Sequence, residues 1–74
     1  MPRYFFHVRG SDDFIDDEEG TVLASNDQAR TYAARIAHDL SRESGFEMQS
    51  VVVIDEHGVE VTVIPIATRV GAPH

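Results

Sequence analysis

One stretch constrains what the rest of the chain can build. From Asn26 to Glu43 the apolar residues Ala29, Tyr32, Ala33, Ile36, Ala37 and Leu40 recur at i, i+3, i+4, i+7, i+8 and i+11, the spacing of one face of an α-helix. Ser25 precedes Gln28 by three positions, so a hydroxyl and a side-chain amide can each satisfy a free N–H at the helix start. Asp27 suits the positive end of the helix dipole, and Ser44-Gly45 supplies a residue able to turn left-handed and end the ladder. Three of the apolar positions are alanine, which lets the helix approach a sheet closely. Tyr32, Ile36 and Leu40 are then expected to supply most of the buried area, about 1.5–3 kcal/mol each.

The remaining segments read as strands. Arg3 to Arg9 is rich in aromatic and branched residues, and alternation sets Tyr4, Phe6 and Val8 against the helix, with Phe5, His7 and Arg9 on the far side. A turn at Gly10-Ser11-Asp12-Asp13 leads to a short return strand, Phe14-Ile15-Asp16. Asp17-Glu18-Glu19-Gly20 and Asp55-Glu56-His57-Gly58 share Asp at the first place and Gly at the fourth, the pattern of a type I turn closed by a glycine bulge. Two such turns suggest two hairpins. In the second, a bulge at the turn sets Val53 opposite Val61 and Val51 opposite Val63 on the helix face, with Val52 and Ile54 pointing outward beside Thr62 and Glu60. Without it Val51 and Val53 point outward instead. Pro65 cannot donate to a ladder, so the last strand, Val59 to Ile66, ends there or runs along an edge.

These elements predict an α+β domain, β-β-α-β-β, with an antiparallel sheet of three to four strands and one helix packed on one face. It spans residues 1–66, and residues 67–74 read as a flexible tail. A chain of 74 residues buries only about 60% of its unfolded surface, so association would supplement a small core. With no cysteine there is neither a disulfide staple nor a thiolate site. Met1-Pro2-Arg3 leads directly into a strand-like run without the apolar core of a signal peptide, and no apolar run approaches the ~18 residues needed to cross a bilayer. The expected location is the cytoplasm, with no membrane partner.

Thirteen acidic residues against six basic ones give a formal charge of −7, which repels a phosphate backbone. Six of the acids lie between Asp12 and Glu19. Asp16, Asp17, Glu18 and Glu19 could attract a basic partner or a divalent cation, although the spacing is not that of an EF-hand loop. His7, His38, His57 and His74 show no paired ligand spacing, and no serine sits in a recognisable nucleophile turn. No catalytic residue, cofactor or metal is expected, and the chain does not read as an enzyme. Arg35, His38 and Arg42 line the polar side of the helix at i, i+3 and i+7, with Asp39 able to pair with either arginine. The strongest candidate is the outer sheet face, where Phe5 with either Val52 and Ile54 or, in the other register, Val51 and Val53 would form an apolar patch of a kind monomers seldom leave bare, to be covered by association or by the tail folding over it through Val70.

The run Pro2-Arg3-Tyr4-Phe5-Phe6-His7-Val8-Arg9, followed by Asp17-Glu18-Glu19-Gly20-Thr21, the helix around Gln28-Ala29-Arg30 and Ala37, and Asp55-Glu56-His57-Gly58, resembles a family of small bacterial proteins of unknown function. That resemblance implies a small strand-and-helix domain and no activity. A more distant likeness is to HicB-type antitoxins, which also open on an aromatic-rich strand and place a capped, alanine-rich helix after an acidic hairpin. The expected function is therefore a non-enzymatic protein-interaction or regulatory module, a homodimer or the docking site of another protein. The alternatives are an antitoxin-like or nucleic-acid-binding domain using the polar helix face, and a divalent-metal-binding acidic loop.

Overall fold

The first strand, β1 (Arg3–Arg9), lies inside the sheet because its alternate residues have two uses. Tyr4, Phe6 and Val8 are buried, and directly opposite them on β4 (Ser50–Asp55) stand Asp55, Val53 and Val51. β5 (Glu60–Pro65) continues the sheet beyond β4, while the other edge of β1 is shared by two short strands. β2 (Phe14–Ile15) pairs with its C-terminal end and β3 (Thr21–Val22) with its N-terminal end, all antiparallel. The helix α1 (Asn26–Ser41) crosses the Tyr4/Phe6/Val8 face. This computed structural model describes residues 1–11, 13–43, 46 and 48–67. The α+β architecture is the expected one, with five strands in the sheet because Thr21-Val22 is a strand of its own.

The helix begins where its caps dictate. Gln28 N–H donates to Ser25 Oγ at 3.2 Å, and Gln28 Oε1 accepts from the N–H of Ala24 at 3.0 Å, one residue before the position a capping box would use. Asp27 pairs with Arg30 at 3.0 Å on the exposed side. α1 ends at Ser41, two residues earlier than the periodicity suggests, and Arg42 caps it in the right-handed region. The expected stop at Ser44-Gly45 lies outside the described residues. Tyr4, buried on β1, donates its hydroxyl to Asn26 Oδ1 at 2.7 Å, which satisfies the polar tip and ties the first strand to the first residue of the helix.

Contact between helix and sheet corrects the expectation that the large residues would dominate it. Ala29, Ala33 and Ala37, spaced four apart, are buried against Tyr4, Phe6, Val8, Val51, Val53 and Ile66, while Ile36 and Leu40 flank the cluster partly exposed. Tyr32 is 37% exposed. It still contributes, because its ring meets that of Phe6 edge-on, with centroids 4.8 Å apart and planes at 88°, a favoured aromatic arrangement. The alanines bring the backbone too close to the sheet for a large side chain beneath the helix axis, so longer residues spread to either side.

The second hairpin turns as expected. Gly58 takes φ +82, and Asp55 Oδ1 accepts from the N–H groups of His57 and Val59 at 2.8 and 2.9 Å. A second irregularity follows. Ile54 lies opposite Glu60, but Val53 lies opposite Thr62, leaving Val61 bulged out of the ladder. Val51 and Val53 face the helix, and Val52 and Ile54 face outward, as the bulged-turn register requires. On β5, however, Ile64 rather than Val63 joins the core side, opposite Val51, and Val63 stands outward opposite Val52. The bulge lets both Val61 and Ile64 pack on the core cluster, which uninterrupted alternation would forbid. The strand ends at Pro65 on the sheet edge, and Ile66 then tucks into the core with its N–H donated to Gln49 O at 2.8 Å. From residue 68 the expected tail lies outside the described residues.

Because Ala33 sits fully buried under the helix, Ala33→Leu is expected to lower stability by about 1–3 kcal/mol through overpacking. Ala34→Leu, on the exposed side, should stay within about 0.5 kcal/mol. Urea denaturation of both variants checks the close approach of α1.

Candidate functional site

Among the described residues no helix lies on the far side of the sheet. β1 presents Arg3, Phe5, His7 and Arg9 there, and their direct partners on β4 are Ile54 for Phe5, Val52 for His7 and Ser50 for Arg9. The rings of Phe5 and His7 lie parallel, with centroids 6.4 Å apart, and Phe14 of β2 leans on His7 at 5.4 Å. Of the residues expected to form the patch, Val52 is only 3% exposed, whereas Phe5 and Ile54 are half-buried. The area open to solvent comes instead from Phe14, Val22 and Val63, at 58, 46 and 38% exposure.

Sequence reasoning missed those three residues for separate reasons. Val63 faces outward only because of the bulge at Val61, which has no signature in the residue pattern. Phe14 and Val22 acquire a face from their partners, Arg9 and Arg3, and short strands offer too little alternation to show it.

The acidic stretch is not a hairpin turn. β2 and β3 both pair with β1 rather than with each other. Between the paired positions β1 has residues 5–7, while the opposing chain has residues 16–20, so two extra residues must be accommodated. Asp17 fills the resulting gap in the ladder. Its Oδ2 accepts from Phe6 N–H at 3.0 Å and its Oδ1 from Gly20 N–H at 3.2 Å, while its own N–H donates to His7 Nδ1 at 3.0 Å. One carboxylate thus takes the place of the missing strand. Gly20 completes the splice with φ +73, and a Cβ there would lie 2.8 Å from Tyr4 O and 2.9 Å from the Phe5 ring. Arg3 Nη1 donates to Glu19 O at 2.7 Å, pinning the loop from outside.

Asp16, Glu18 and Glu19 remain exposed, so the four expected loop residues divide into one structural acid and three solvated ones. Asp12 lies outside the described residues. Among the described residues no group of three or more His, Asp or Glu side chains is arranged to hold a metal.

The polar helix face is divided as well. Arg35 borders an open groove of about 470 Å³ with Leu23, Asp27, Gln28, Thr31 and Tyr32, while His38 lines a smaller one against Ile64, Pro65 and Ala67 on the β5 side. Arg42 is at the helix cap. The three residues expected to act together are exposed, with Arg35 and His38 bordering different grooves.

The fold and its surfaces define an α+β domain in which one alanine-faced helix covers one side of an antiparallel sheet and an acidic loop is spliced into its edge. The chain belongs to the family described as domain of unknown function DUF6894, whose model matches residues 3–67. No curated protein and no solved structure matches it. Among the described residues, no helix is long and apolar enough to cross a membrane.

Two substitutions test the splice. Asp17→Ala strands the N–H groups of Phe6 and Gly20 and is expected to cost about 1.5–3 kcal/mol, the range for hydrogen bonds to a charged group. Gly20→Ala should cost at least ~1 kcal/mol more than Gly58→Ala, since both glycines are left-handed but only the first meets neighbouring atoms. Chemical denaturation of the set decides both.

Proposed function

We propose that this protein is a non-enzymatic interaction module whose outer sheet face docks on a second copy of the chain. The observation that carries the reading is the placing of exposed Phe14, Val22 and Val63 on one side of the sheet, the side that also presents half-buried Phe5 and Ile54. Scattered exposed apolar residues need no explanation, but several on one sheet face that no described element covers do. Charge supports self-docking. The outer side of β1 contributes Arg3 and Arg9, while Glu60 stands on the same face opposite Ile54 and Asp16 lies beside His7, so the face carries charges of both signs. A two-fold axis can then set basic and acidic positions against each other. Docking would also add a second layer to a domain too short to build a large core.

A second reading takes the helix side as an antitoxin-like or nucleic-acid surface, in line with the likeness to HicB-type antitoxins. In its favour, Arg35 is exposed and has no ion-pair partner among the described residues. A net charge of −7 opposes it, and a salt-dependent mobility shift would be its signature.

Light scattering at about 100 μM, well above the Kd of a specific contact, is expected to give the dimer mass. Val63→Lys should return the monomer mass with an unchanged far-ultraviolet circular dichroism spectrum. A strict monomer for the unmodified chain overturns the docking reading.

A further inference from the structure

His7 Nδ1 has two neighbours that want opposite things from it. The N–H of Asp17 donates to it at 3.0 Å, and Asp16 Oδ1 lies 3.0 Å from the same atom. An imidazole nitrogen has one in-plane site, which is either a lone pair that accepts or an N–H that donates. With Nδ1 unprotonated, the Asp17 bond is made and the Asp16 carboxylate faces a lone pair. With Nδ1 protonated, the proton points to the Asp16 carboxylate and the Asp17 N–H faces another N–H. The two contacts cannot coexist.

We infer that His7 is a proton-operated latch on the acidic loop: neutral, it holds the Asp17 backbone, and protonated, it lets that N–H go and holds the Asp16 carboxylate. A solvent proton added to Nδ1 is the whole of the chemistry. The surroundings leave the choice to these partners. Across β1, β4 presents Val52 opposite His7, with Ser50 and Ile54 beside it, and β2 presents Phe14. Arg9 is the nearest cation on the same side of β1. Among the described residues the Asp16 carboxylate is the acid set against the ring, while Asp17 meets it through its backbone N–H and turns its carboxylate to Phe6 and Gly20. The imidazole is 15% exposed and the Asp16 side chain 55%, so the mobile partner is the one already in water. Asp17 stays anchored in both states, because its carboxylate keeps the N–H groups of Phe6 and Gly20. The switch thus moves the hold on the loop back by one residue and places a positive charge between the Phe5 and Phe14 rings.

Nuclear magnetic resonance of the whole chain between about pH 8 and about pH 5, the span over which an imidazole changes charge, tests this in the unmodified chain and in Val63→Lys, because His7 lies on the face proposed to dock. A latch read in Val63→Lys stands or falls apart from the docking reading. At the alkaline end the His7 ring proton is expected on Nε2, with the Asp17 amide protected from exchange. Protection, corrected for intrinsic exchange, should fall about tenfold in step with ring protonation, the equivalent of one ordinary hydrogen bond. In His7→Asn, which offers an acceptor oxygen that does not titrate, Asp17 protection should no longer change with pH. A ring proton on Nδ1 at the alkaline end, or Asp17 protection that stays constant while the wild-type ring titrates, overturns the latch.

Discussion

Close approach between three alanines and one strand face holds this structure together. Ala29, Ala33 and Ala37 let the helix backbone settle on Tyr4, Phe6, Val8, Val51 and Val53, and dispersion at that distance falls off steeply with any gap. A chain of this length has little interior to spare, so area lost under the helix could not be recovered elsewhere. The hydroxyl bond from Tyr4 to Asn26 fixes where along the sheet the helix starts. The alanine spacing fixes which way it then lies.

Once the helix claims one side, the sheet edges become the next constraint. An unpaired edge invites adventitious pairing, and the two edges here are managed differently. β1 is covered by two strands too short to serve as a template, joined through the Asp17 carboxylate in place of a ladder. β5 carries a bulge and ends on Pro65, both of which interrupt a regular row of donors. Neither device covers the far face, where Phe14, Val22 and Val63 remain. Among the described residues both edges are blunted, and no element lies across the far face.

Much of this was legible from local pattern. The amphipathic repeat located α1, alternation gave the inward side of β1, and Asp55 with Gly58 gave the second turn, because each depends on neighbours within a few residues. The first Asp-x-x-Gly motif misled, since the same four residue types that close a hairpin also serve to bridge a gap along one strand. Asp17 became a splice only because β1 lay beside it. The candidate patch was legible as a face but not as a set of exposed residues: Val52 sinks between His7 and Val63, while Phe14, which the pattern placed on a short strand without giving it a face, stands in solvent.

The sequence by itself determined the helix and its capped start, the inward set of β1, both left-handed glycines and an acidic chain without cysteine, all of which follow from short-range sterics, periodicity and composition. Only the tertiary structure decided that alanines rather than Tyr32 lie beneath the helix, that Val61 bulges, and that a carboxylate replaces part of a strand. Those outcomes turn on how far apart two packed layers can sit and which strand edge a loop finds beside it. Such quantities exist only once segments distant in the chain are brought together.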